Sequence, residues 1–63
     1  MNYFENSINW NKTTDPLYPY TAIYKDRNLK LRLNDFPEEP MYTLFVDGET
    51  IESFDEWPSI WTR

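Results

Sequence analysis

Leu29, Leu31 and Leu33 are separated by Lys30 and Arg32 and flanked by Asn28 and Asn34, and this alternation constrains the chain more than any other feature. Successive side chains on a strand point to opposite faces, so the segment has one apolar face and one cationic face. On a helix the same residues would scatter around the circumference. The preceding run alternates as well, with Tyr20, Ala22 and Tyr24 set between Thr21, Ile23 and Lys25. Two adjacent alternating runs predict an antiparallel hairpin with strands over 20–26 and 28–34. A turn at Asp26 and Arg27 sets Tyr24 opposite Leu29, Ala22 opposite Leu31 and Tyr20 opposite Leu33. A turn at Arg27 and Asn28 keeps the same faces and sets Tyr24 opposite Leu31. An odd loop would mix leucines with lysines, which predicts an even one. No glycine lies in this stretch, which disfavours the tightest turn types.

Further along, residues 41–46 are apolar or aromatic at nearly every position, the pattern of a central strand covered on both faces. Asp47-Gly48 is the clearest turn signal in the chain. It predicts strands over 41–47 and 49–52, pairing Val46 with Glu49, Phe45 with Thr50 and Leu44 with Ile51, and placing Ile51 in the core. In the tail, Ser53 and Glu56 have capping-box spacing, and Phe54, Trp57 and Trp61 fall on one helical stripe. Pro58 forbids a long helix, so the tail predicts short C-terminal helical turns rich in aromatics. The first 19 residues are the least legible. Ile8 and Trp10 alternate with polar neighbours as in a short strand, while Phe4 and Ile8 have helical spacing. The expected fold is all-β, or α+β if the tail counts as helix: an antiparallel β-meander of three to four strands over 20–52, capped by 53–63.

Composition supports one small folded domain over 1–63. The chain has 63 residues, of which three Trp, five Tyr and four Phe are aromatic. Rings of this size cover much area at little entropic cost, whereas disordered acidic chains are poor in them. The sequence contains no cysteine and no histidine. It therefore has no disulfide, no zinc-finger ligand set and no imidazole for acid–base work. The carboxylate pairs Glu38/Glu39, Asp55/Glu56 and Glu49/Glu52 do not suit glycoside hydrolysis, which needs two carboxyls facing across a cleft. Asp47-Gly48-Glu49 lacks the repeated oxygen ligands of a calcium loop. The expectation is a protein that is not an enzyme and carries no cofactor or metal.

The N-terminus has no basic start followed by an apolar run, and no stretch approaches the length of a membrane span. A cytoplasmic protein with no membrane partner is expected. The glycosylation pattern at Asn11, Lys12 and Thr13 is accordingly read as fortuitous.

Charge is segregated. The net charge of −5 hides a local balance of +3 over residues 20–34, where four cations face Asp26 alone, and −8 elsewhere. Lys25, Lys30 and Arg32 are expected on one outward face with Thr21 and Ile23, near Tyr18 or Tyr42. The alternative is a solvated face neutralised by Glu38, Glu39 or Glu52. Phe36, framed by acidic residues and by Pro37 and Pro40, suits an apolar anchor, although a ring tucked under the sheet is the commoner use in a small domain. Trp57 and Trp61 suit core lids, with Trp61 a second candidate anchor near the C-terminus. Lys25, Lys30, Arg32, Phe36 and Trp61 are thus the candidate partner-binding residues. They favour a protein–protein interaction module: a regulator, an inhibitor or an accessory subunit. Single-stranded nucleic-acid binding through the basic hairpin is the alternative, and an acidic nucleic-acid mimic a third. An open sheet also has edges through which a dimer forms by strand addition.

Overall fold

The alternation of Leu29 to Leu33 becomes the central strand of a single antiparallel sheet. The computed structural model describes residues 3–63. Met1 and Asn2, which belong to the reading of the N-terminus and of the 1–63 domain, lie outside the described residues. The strands are β1 (Asn11–Lys12), β2 (Tyr20–Tyr24), β3 (Arg27–Leu33), β4 (Tyr42–Val46) and β5 (Glu49–Phe54). They lie side by side in chain order, every neighbour antiparallel. Among the described residues the meander therefore has five strands rather than three to four. The additional one is the two-residue β1, whose Lys12 pairs with Tyr20.

Both tight hairpins use two-residue turns with left-handed backbone. Lys25 and Asp26 have φ of 50° and 64°, and Asp47 and Gly48 have 50° and 85°. Positive φ at both central positions gives the turn whose twist matches the flanking strands. The first turn thus falls at neither expected position, one residue before Asp26-Arg27 and two before Arg27-Asn28, and it forms without glycine. Tyr24 pairs with Arg27, Ala22 with Leu29 and Tyr20 with Leu31. The loop is even, so tyrosines and leucines still share a face. Packing sets this register: Ala22, Leu29, Leu31, Leu44 and Val46 are buried together.

The Asp47-Gly48 turn falls where the sequence puts it, with Val46 against Glu49 and Phe45 against Thr50. A bulge then intervenes, and Leu44 pairs with Glu52 instead of Ile51. One extra residue in a strand throws the next side chain to the other side. Ile51 is accordingly 46% exposed and does not join the core.

The C-terminal helical turns are not formed. β5 runs on through Ser53 and Phe54. The Ser53 hydroxyl shares a hydrogen bond with Thr43 Oγ1 across the ladder instead of capping a helix. Asp55 Oδ1 accepts from the Met41 backbone N–H. With both side chains engaged by β4 and its approach, a first helical turn loses its cap, and Pro58 denies it a later backbone donor. The predicted stripe still converges through the end of a strand and a turn, with the Trp57 and Trp61 ring centroids 5.4 Å apart and Phe54 5.6 Å from Trp61.

These rings cover one face of the sheet together with the N-terminal segment. A 3₁₀ turn at Tyr3–Glu5 brings Phe4 against Trp61. Ile8 and Trp10 are buried while Asn9 between them is exposed, as an alternating strand requires. The two chain ends are joined by a parallel bridge between Asn9 and Thr62, with Trp10 N–H donating to Thr62 O and Thr62 N–H to Ile8 O. Trp61 Nε1 donates to Tyr3 O at 3.0 Å, which ties the C-terminal ring to the N-terminal turn.

Candidate interaction surface

Among the described residues no aromatic layer covers the opposite face of the sheet, although Thr43 on it is buried beside Asn34 and Ser53. Strand parity turns Thr21 and Ile23 of β2, Asn28, Lys30 and Arg32 of β3, and Phe45 of β4 away from the core. The ladder sets them side by side: Thr21 opposite Lys30, Ile23 opposite Asn28, and Lys30 opposite Phe45. Ile23 is 76% exposed, the most exposed of the large apolar side chains among the described residues. Between these strands and the loop before β2 lies an open hollow of about 740 Å³, lined among others by Tyr18, Ile23, Lys30 and Phe45.

Tyr18 reaches this face because the segment 13–19 is folded on itself. Thr13 Oγ1 donates to Tyr18 O at 2.6 Å, and the Leu17 N–H donates to Asp15 Oδ1 at 2.9 Å. Leu33 N–H donates to Leu17 O, which lays the segment alongside the end of β3. The Tyr18 ring meets Phe45 edge to face at 6.1 Å, and Lys30 Nζ lies 4.9 Å from its centroid. The result is an aromatic ledge with a cation on it. A ring face in this position attracts an ammonium through its quadrupole.

The stripe is not neutralised from within. Among the described residues the one ion pair joins Arg27 to Asp47, at 3.0 Å. Lys30 and Arg32 have no carboxylate within pairing distance, so Glu38, Glu39 and Glu52 do not play that part. Asp47 Oδ1 also accepts from the Asn28 backbone N–H at 3.0 Å. That bond first, and the Arg27 guanidinium second, hold the Asp47 carboxyl below its ordinary range, and Asp47 in turn raises Arg27.

The five candidate residues do not form one place. Lys30 and Arg32 sit together on the outer face, as the alternation requires. Lys25 is not on that face but in the β2–β3 turn, with Nζ 5.4 Å from the Tyr24 ring centroid, because the turn comes earlier than either expected position. Trp61 is only 3% exposed and belongs to the core, so its role as a surface anchor is corrected. Four rings, Phe4, Trp10, Phe54 and Trp57, pack against it. Phe36 is 56% exposed and does not tuck under the sheet. Its loop is held instead by polar bonds. Asn34 Nδ2 donates to Pro40 O and to Thr43 Oγ1, Asp35 N–H to Glu39 Oε1, and Glu39 N–H to Asp35 O. Tyr42 lies on the buried face, so Tyr18 is the ring that accompanies the cations. Phe45 was the residue missed. Its pairing with Lys30 follows from parity once the β3–β4 register is known, but residues 41–46 read as covered on both faces.

Among the described residues no group of three acidic side chains is placed to hold a metal ion, and no helix is long and apolar enough to cross a membrane. No protein-family model, curated protein or solved structure matches the chain.

Proposed function

We propose that this protein is a non-enzymatic interaction module, a regulator, inhibitor or accessory subunit that works in the cytoplasm and docks on a protein partner through the outer face of its sheet. One observation carries the reading: Ile23, Tyr18 and Phe45 offer apolar surface beside Lys30 and Arg32, two cations without an internal counter-charge. A partner that places apolar groups over Ile23 and carboxylates over the cations satisfies both. Charged groups at such a rim give orientation and the buried apolar centre gives affinity.

The test is affinity capture with wild type against the double variant Lys30→Glu/Arg32→Glu. Recovery of the specific partner should fall by about tenfold or more, the effect of roughly 1.4 kcal/mol. Equal recovery sinks the role assigned to this face. If the protein were instead an acidic nucleic-acid mimic, the carboxylates would carry the contact and the reversal would leave recovery unchanged.

A second reading, single-stranded nucleic-acid binding, draws on Tyr18 and Phe45 standing beside the cations. It is the weaker one. Lys30 already lies over the Tyr18 ring, and the net charge of −5 opposes phosphates. No binding of mixed-sequence oligonucleotides at low salt would eliminate it.

A further inference from the structure

We propose that the outer face accepts a second copy of this chain, and that the segment which docks there is the Phe36 loop of that copy. The proposal rests on the reading of the outer face as a protein-docking surface and names its occupant. The two surfaces are complementary in chemistry. The loop offers an exposed ring, Phe36, bracketed by Asp35, Glu38 and Glu39. The outer face offers a hollow with Ile23, Tyr18 and Phe45 in its lining, Lys30 among the lining residues, and Arg32 two residues further along the same face of β3. An aromatic anchor with carboxylates around it meets a hollow where Lys30 is the lining cation, Arg32 lies beside it, and the one lining carboxylate, Asp47, is already paired with Arg27.

The loop is also pre-organised. Its ends are fixed by Asn34 N–H donating to Met41 O at 2.9 Å, and by the Asn34 side chain bonded to Pro40 O and Thr43 Oγ1. A ring presented on a fixed loop loses little conformational freedom on docking.

The loop cannot serve its own hollow. It follows the C-terminal end of β3, while Ile23, Asn28, Asp47 and Gly48 line the hollow at the other end of that strand. A strand of this length spans about 20 Å. The contact therefore joins different parts of two molecules, a head-to-tail arrangement that propagates or closes into a ring. Since each copy carries −5, long-range repulsion opposes approach and the association is weak.

Sedimentation velocity across about 0.01–1 mM protein tests it, a range that covers weak, millimolar-to-micromolar contacts. Wild type should show an average mass that rises with concentration. Phe36→Ala and Lys30→Glu/Arg32→Glu should each remain monomeric, and Glu38→Lys should weaken association without touching the ring. Each of the first two variants keeps one intact surface. Their mixture should therefore form a one-to-one dimer and stop there, because the remaining surfaces are both broken. Circular dichroism checks that every variant is folded. A monomeric wild type at 1 mM, or a mixture that stays monomeric while wild type associates, overturns the proposal. Loss of a captured partner in Lys30→Glu/Arg32→Glu with a monomeric wild type would leave the protein-docking reading standing and remove only the second copy.

Discussion

The two faces of this sheet are built from the same strands and end in opposite conditions. On the inner face Ala22, Leu29, Leu31, Leu44 and Val46 are buried beneath Ile8, Trp10 and Trp61. On the outer face Ile23 stands in solvent, and Lys30 and Arg32 have no ion-pair partner. Strand parity decides which residue belongs to which face, but it does not decide which face is covered. The chain ends do that. The N-terminal segment and the tail both cross the inner face and pair with each other at Asn9 and Thr62. With both ends committed there, the other face receives only the rims made by segments 13–19 and 34–41. A chain this short buries one face well by leaving the other open.

The largest expected effect tests whether the inner face depends on its terminal cover. Trp61→Ala removes the ring packed on Phe4, Trp10, Phe54 and Trp57, and with it the hydrogen bond to Tyr3 O. Truncation of a buried aromatic costs about 3–5 kcal/mol. Small domains sit near the low end of the roughly 5–15 kcal/mol typical of native proteins. The variant should lose most of its urea resistance or fail to fold. A loss under about 0.5 kcal/mol, the usual size of a surface change, would return Trp61 to the surface and break the contrast between faces.

Next come the turns that hold the strands in phase. Gly48→Ala meets no atom within 4 Å, so its cost is backbone strain alone at φ +85°. About 1 kcal/mol is expected. Asp26→Gly should act in the opposite direction, relieving φ of 64° at a non-glycine residue, with a gain of up to about 1 kcal/mol. Both are read from denaturation midpoints. If Asp26→Gly were neutral, the β2–β3 register would not be held against backbone strain.

These turns also mark where the sequence was legible. The period of two at Leu29, Leu31 and Leu33 identified β3, its faces, and the shared side of Lys30 and Arg32, because charge and apolar character alternate without a break. Asp47-Gly48 located its turn because glycine announces left-handed backbone. The first turn was misplaced by one or two residues, since Lys25 and Asp26 adopt that backbone with no such marker. Ile51 was misassigned because a bulge leaves no trace in a six-residue strand of mixed character. The tail had helical spacing and a cap pattern, but Ser53 and Asp55 bond to β4 and Met41, partners that local sequence does not contain. Phe36 was the hardest to read. What keeps its loop in place is the amide of Asn34 and not the burial of the ring.

A smaller effect tests the outer face directly. Ile23→Thr keeps a β-branched side chain on β2, so strand preference is retained. Stability should change by less than about 0.5 kcal/mol. A loss above that would mean that Ile23 is covered in the folded chain and that the two faces are more alike than they look. Unchanged stability with weakened partner or self-association would sharpen the difference, assigning Ile23 to contact and not to folding.

The smallest effect concerns the rim where the faces meet. Asp47 lies in the β4–β5 turn, yet it holds the start of β3 through the Asn28 N–H and the Arg27 guanidinium. Both contacts favour its charged form and keep its folded pKa below the ordinary 3.8. A lowered acid pKa stabilises the fold above the ordinary value, and that contribution is lost as pH falls from about 3.8 through the lowered one. Asp47→Asn tolerates the same left-handed backbone and keeps an oxygen for Asn28, but it has no charge to lose. The thermal midpoint of wild type should exceed that of the variant by a constant margin at about pH 5–8, a margin that closes at lower pH. Salt should trim mainly the part due to Arg27, because that part is an attraction between two full charges in solvent. A margin that survives unchanged at the acid end would assign the effect to turn geometry, and Asp47 would then belong to the hairpin alone and not to the charged rim of the outer face.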